Sequence, residues 1–185
     1  AMYDYALATE RPDGLQISLH DTGYAPSKAN QPRPLGQERA RFQADAGLPA
    51  TWPPTVQEFP VAGQVFLRSA WDAAATYATF DATTRRSFHW HPCRNAVTLF
   101  ANGRALLTDS GYPFRNAEFP AYGHRTEHHS TVTLNGWNQS QAPALLRVRR
   151  APGYELVTGF YGGGYWPQEQ QSHGQGLFGE HHRTL

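Results

Sequence analysis

His89-Trp90-His91-Pro92-Cys93-Arg94-Asn95-Ala96-Val97-Thr98-Leu99-Phe100-Ala101-Asn102-Gly103-Arg104-Ala105-Leu106-Leu107-Thr108-Asp109-Ser110-Gly111 is the stretch from which the fold can be read. Val97–Ala101 and Ala105–Asp109 are apolar runs on either side of Asn102-Gly103. Asn-Gly between such runs predicts a tight hairpin, because both turn positions need positive φ. The strands are therefore antiparallel neighbours. A second segment follows, Tyr122-Gly123-His124-Arg125-Thr126-Glu127-His128-His129-Ser130-Thr131-Val132, ending at Asn135-Gly136. Five of the nine histidines fall between His89 and Gly136, so any site chemistry is expected there.

Working outward, the same strand grammar continues. Val65–Ala70 is apolar and bounded by Gly63, and Ala75–Asp81 alternates around Tyr77 and Phe80. Thr131–Leu134 alternates β-branched and polar residues. Leu145–Arg149 alternates Leu/Val with Arg, which predicts one wet face. Tyr154–Tyr161 follows Pro152-Gly153. Short strands with Gly and Asn turns and no intervening helices predict an antiparallel all-β architecture, a sandwich or large sheet. The Gly162-Gly163-Gly164 run and the Gln-rich stretch after it read as a mobile loop.

Towards the N-terminus the grammar changes. Residues 15–60 hold seven of the fourteen prolines. One helix is expected there, Gly36–Ala46, closed by Gly47. The rest reads as an extended arm or a free linker. Met2–Glu10 reads as the tail of a helix, stopped by Pro12-Asp13-Gly14 and without a packing partner nearby. The domain division expected is residues 1–60 as arm and 61–185 as the β domain, a piece of a longer polypeptide.

At 185 residues the chain can bury a real core as one domain. A formal net charge of +1 excludes a whole-molecule basic field, so no nucleic-acid partner is expected. No apolar run reaches membrane-spanning length, and no segment reads as a signal peptide. Cys93 is the sole cysteine, which rules out an internal disulfide. It reads as a small buried filler or an extra soft ligand. Lys28 is the sole lysine. Positive charge is thus almost all arginine, which suits bidentate carboxylate contacts.

Two histidines in His-x-His on a strand share a face, because the strand period is two. The hairpin returns Asp109 to the level of His91. A third ligand would come from His128 or His129, which point to opposite faces if extended. Such an N/O set is what a tetrahedral zinc site needs. The plainer alternative is a chance cluster of half-buried, hydrogen-bonded histidines.

His89-Trp90-His91, Asp109-Ser110-Gly111 and Tyr122 with Arg125-Thr126-Glu127-His128-His129-Ser130-Thr131-Val132 and Gly136 together resemble the heparinase II/III family of polysaccharide lyases. Phe66-Leu67-Arg68-Ser69-Ala70-Trp71 is similar to that family's first sandwich strand. Pro12-Asp13-Gly14 resembles the loop closing its helical toroid, and His181-His182-Arg183 the start of a later strand. The resemblance implies a mostly β protein, an antiparallel β-sandwich with a short N-terminal helical and extended arm. Residues 1–60 would then be the remnant of a helical domain and its linker, and 61–185 a sandwich continuing past the C-terminus.

The resemblance also implies chemistry. The family cleaves uronate-containing polysaccharides, alginate or glycosaminoglycan, by β-elimination in a cleft between sandwich and toroid. His91, Asp109 and His129 would hold a structural zinc. His89 would be catalytic or neutralise the substrate carboxylate. Tyr122 would be catalytic, and Arg125 and Trp90 would line the substrate side. His124 and His128 are expected to face solvent. The partners implied are an anionic uronate polysaccharide and the helical toroid or another chain. The location implied is periplasmic or secreted. Two departures stand out. The family commonly has Asp where Cys93 stands, and nothing in this chain matches the toroid's catalytic residues. A non-catalytic carbohydrate-binding domain with a structural zinc is the competing function. A cupin-type metal enzyme also uses His-x-His, but Arg94 and Asn95 stand where it wants Glu.

Overall fold

Strand pairing begins at Val56, earlier than the sequence suggests. A computed structural model describes residues 2–20, 35–49, 51–83, 91–111, 122–167 and 176–185. The first sheet has five strands in chain order: β1 (Val56–Phe59), β2 (Gln64–Arg68), β3 (Tyr77–Asp81), β4 (Ala96–Ala101) and β5 (Arg104–Leu107). Every neighbour is antiparallel. β1 lies inside the stretch read as linker, so the sheet starts there. The β4–β5 turn is Asn102-Gly103, at φ 53° and 71°. This is the positive-φ hairpin that the sequence predicts.

The remaining strands are β6 (Asn138–Gln139), β7 (Leu145–Ala151), β8 (Tyr154–Tyr161), β9 (Tyr165–Trp166) and β10 (His181–Thr184). β10, β8 and β7 form a three-stranded antiparallel sheet, and β6 pairs with β9. Thr131–Leu134 is not a strand: its sole bridge is Leu134 to Trp137, across the turn at Asn135-Gly136. Its Thr131 hydroxyl instead bonds the loop before β4, as described below. Gly162–Gly164 is packed rather than loose. Gly164 N–H donates to Gly179 O, and a Cβ on Gly163 would lie 2.4 Å from Ala142 Cβ. The Gln-rich run, 168–175, lies outside the described residues.

Alternation along β2, β3 and β4 gives the five-stranded sheet two buried faces. Val65, Phe80 and Val97 point one way and pack with Val157, Tyr161 and Tyr165 from the β8–β9 side. That is the core of the sandwich. Phe66, Tyr77 and Phe100 point the other way, against Ala8, Ile17 and Leu19. Each such fully buried side chain contributes about 1.5–3 kcal/mol by leaving water.

The N-terminal segment is therefore part of the fold. Helix α1 (Met2–Ala8) does have a packing partner, the outer face of the sheet. Tyr77 Oη donates to Ala8 O at 2.8 Å, and Arg68 Nη2 donates to Ala8 O and Glu10 O. These bonds satisfy carbonyls that the helix end leaves open. Helix α2 (Leu35–Asp45) ends as expected, with Gly47 at φ 65° and Leu48 N–H returning to Gln43 O. Among the described residues no helix is long and apolar enough to cross a membrane.

Candidate metal centre

Three loops build the site. The first, residues 91–95, enters β4. His91 is not in a strand, and His89 and Trp90 lie outside the described residues. The shared-face reading of His-x-His therefore has no described strand to rest on. The loop is instead fixed by hydrogen bonds. Arg94, fully buried, donates from Nε to Ala142 O and from Nη1 to His91 O, at 2.9 and 3.1 Å. Buried charge is tolerated where backbone carbonyls replace water.

The second loop follows β5. Asp109 Oδ1 accepts from Gly111 N–H at 3.0 Å, and Gly111 takes φ 57°. This local turn explains Asp-x-Gly: the glycine permits the left-handed bend that fixes the carboxylate. Oδ2 is left facing the site.

The third loop holds two short 3-10 turns, Tyr122–His124 and Thr126–His128. Thr126 Oγ1 donates to Pro92 O at 2.7 Å and accepts from Gln139 N–H at 2.8 Å. Thr131 Oγ1 donates to Arg94 O. Gln139 Nε2 reaches Arg94 O and Val132 O, at 3.2 and 3.1 Å. The threonines of this segment are thus ties between loops, which is why Thr131–Val132 forms no ladder.

These ties bring His91, Asp109 and His129 together. All three are buried, and one candidate ligand atom from each lies within 4.8 Å of the others. His129 Nδ1 is 2.6 Å from Asp109 Oδ2, while its Nε2 is 2.9 Å from Gly123 O. Both ring nitrogens therefore face acceptors, but a neutral imidazole donates only once. If His91, Asp109 and His129 held a cation, His129 Nδ1 would be free to ligate it while Nε2–H donated to the Gly123 carbonyl. That is how ligating histidines are usually oriented. The N/N/O donor set suits zinc. Gly123 is needed here for close approach: a Cβ would sit 2.7 Å from both His91 Cε1 and Gly111 O.

The other expected site residues divide. Tyr122 is 39% exposed and stacks on His128 with centroids 3.7 Å apart. Nδ1 of His128 lies 2.7 Å from Tyr122 O. Arg125 is exposed and 3.4 Å from Glu127. Neither joins the buried cluster. His124, expected in solvent, is half-buried and packs its ring 5.0 Å from that of His91.

Sequence reasoning missed one group. His20, Asp81 and Cys93 also bring one candidate ligand atom each within 4.8 Å. His20 Nε2 is 2.8 Å from Asp81 Oδ2, and Cys93 Sγ is 3.7 Å from His20 Nδ1. Burial alone would push the Asp81 carboxyl up. Hydrogen bonds from His20, Thr83 and Gln64 instead hold it below the ordinary carboxylate range. Burial pushes the Cys93 thiol up, so it stays neutral and adds no negative charge beside His20. Burial opposes charge on His20, but an ionised Cys93 and Asp81 would together raise its pKa well above the ordinary histidine value. The His91 N–H aimed at Nδ1 decides between them, because an imidazolium would turn a second donor on that amide. The ring is the neutral Nε2–H tautomer. No local spacing signals this group, since its members come from three separate segments.

The family model described as heparinase II/III-like, C-terminal, matches residues 51–185. The chain belongs to that family of β-sandwich domains. Its fold is similar to the heparan sulfate lyase HepC from Pedobacter heparinus, with a TM-score of 0.67 and 19% identity over 88% of this chain and 28% of that one. It is also similar to a heparinase III, with a TM-score of 0.68 and 16% identity over 87% of this chain and 29% of the other. The chain thus spans under a third of these relatives' length. No curated protein matches it by sequence.

Proposed function

We propose that this chain is the C-terminal sandwich of a polysaccharide lyase that cleaves a uronate-containing polysaccharide by β-elimination. We propose further that His91, Asp109 and His129 hold a structural zinc. One observation carries the reading. In a chain of this family, the loops bearing His91, Asp109 and His129 close on a single buried N/N/O cluster. Bound zinc supplies a cross-link between those three loops.

The elimination breaks the C5–H bond and the C4–O bond of the uronate, and forms C4=C5. A base takes the C5 proton, and an acid gives a proton to the departing oxygen. The substrate carboxylate must be neutralised, or C5–H is too weakly acidic. His89 serves that cleft as base or carboxylate partner, and Tyr122 as a proton-transfer group. The exposure of Tyr122 and Arg125 suits substrate contact, with Trp90 offering an aromatic face. Alginate or a glycosaminoglycan is the substrate class, and the helical half of the cleft comes from a toroid domain. A periplasmic or secreted location follows from such a substrate.

The test joins the chain to its helical half and follows ultraviolet absorbance of the unsaturated product, with metal content measured alongside. The expected result is about one zinc per chain and cleavage that His89→Ala abolishes without releasing zinc. Full cleavage by His89→Ala removes that residue's role. Zinc with no cleavage of any uronate polymer supports a carbohydrate-binding domain instead.

A further inference from the structure

The backbone of His91 is held from both sides. Its carbonyl accepts from Arg94 Nη1 at 3.1 Å and from Cys93 N–H at 2.9 Å. Its N–H donates to His20 Nδ1 at 3.2 Å. A ring nitrogen that accepts an amide proton leaves the ring's own proton on the other nitrogen. Nε2–H then donates to Asp81 Oδ2, at 2.8 Å.

Asp81 is itself held firmly. It is 1% exposed at the end of β3. Gln64 Nε2 and Thr83 N–H donate to it, both at 2.9 Å, and the Thr83 hydroxyl donates as well. Tyr5 Oη in turn donates to Gln64 Oε1 at 2.6 Å. The chain of bonds thus runs from α1 through the sheet to the loop of His91.

The backbone around this chain is unusual. His20 sits at φ 53° and Thr83 at φ 36°. Positive φ is uncommon outside glycine and is an outlier for a β-branched residue. Such conformations persist where surrounding contacts over-determine them, and they cluster at functional sites.

We propose that Asp81 and His20 form a positioning strut for the metal centre: Asp81 fixes the His20 tautomer, and His20 fixes the His91 backbone so that its imidazole faces Asp109 and His129. This deepens the zinc reading above and rests on it. Partners of metal ligands usually grip the ligand's second ring nitrogen; here the grip is on the amide. The alternative, a second metal at His20, Asp81 and Cys93, meets two obstacles. His20 Nδ1 already accepts the His91 amide, and both Asp81 oxygens already accept hydrogen bonds.

The test uses the whole chain and zinc alone as probe. Zinc affinity is read by competition with a chromophoric chelator, and ligand geometry by the visible spectrum of the cobalt(II) form. Wild type is expected to bind about one zinc, and His20→Ala to weaken it by about 10–100-fold with an altered cobalt spectrum. His20→Asn, which puts an amide oxygen near the Nδ1 position, should recover much of that loss. Apo-state circular dichroism checks the fold; if His20→Ala does not fold, Asp81→Asn reads the same strut and should also lose affinity. Unchanged affinity and spectrum in the folded variants overturn the strut and leave the zinc reading standing. Two zincs, one of them lost in Cys93→Ser, overturn it because the cluster is then a metal site. A wild type without zinc sinks the zinc reading and the strut together.

Discussion

Two buried histidine clusters in this fold resemble each other in burial and differ in charge. His91 and His129 share their cluster with Asp109. His181 shares its own with Asn95 and Tyr165: Asn95 Nδ2 lies 3.1 Å from Nε2, and the Tyr165 hydroxyl 2.8 Å from Nδ1. In the second cluster both ring nitrogens are used and every partner is neutral. Burial, then Arg183, lowers the His181 pKa, which keeps the ring uncharged. The first cluster has an anionic oxygen aimed at an imidazole and a surplus of acceptors around His129. Histidine burial alone therefore marks neither a site nor a strut. The carboxylate decides, because a metal needs deprotonated ligands with charge to offset its own.

The comparison breaks most sharply on zinc. Asp109→Ala should weaken zinc by more than about 100-fold, beyond the loss typical of outer partners. His181→Leu should leave affinity within about twofold of wild type. Isothermal titration of both variants measures this, and equal losses would erase the distinction.

Acid unfolding separates the regions next. The hydrogen bonds to Asp81 hold its folded pKa below the ordinary value of about 3.9. Its contribution is fully present above the unfolded value and is lost as pH falls below about 4. His181 acts in a higher window. Its folded pKa is lowered, so the unfolded chain takes up protons first, and stability falls as pH drops below about 6.5. Urea midpoints against pH in chelator should show both steps. Asp81→Asn should remove the lower step and His181→Leu the upper.

The smallest effects come from two glycines. A Cβ on Gly159 would lie 2.0 Å from Asn95 Oδ1 and 2.7 Å from Phe80 Cε1. On Gly123 it would meet His91 Cε1 and Gly111 O, both at 2.7 Å. Each alanine variant should cost about 1–3 kcal/mol by overpacking. Denaturant melts should show both losses, yet Gly123→Ala alone should also weaken zinc. An unchanged affinity there would mean that the loops give way without moving His91.

Much of this was legible in the chain itself. Asn102-Gly103 set the hairpin, because Asn and Gly take its two positive φ values cheaply. Two-residue alternation marked β3 and β7, an apolar run after Gly63 marked β2, and Asp109 with His129 followed from motif and resemblance. Periodicity failed at Thr131–Leu134, where Thr131 bonds the loop before β4 and Thr133 closes its own turn onto Trp137 O. It also missed β1, which gains its meaning only from pairing with β2.

Local sequence thus determined the strands, the hairpin and the candidate ligand types, since turn chemistry and side-chain period act over a few residues. Tertiary structure alone decided that α1 covers the sheet, that His124 packs on His91, and that His20 meets Asp81 and the His91 amide. Those contacts join segments far apart in the chain. No short-range pattern encodes them, because they arise only when two faces of one sheet are both buried.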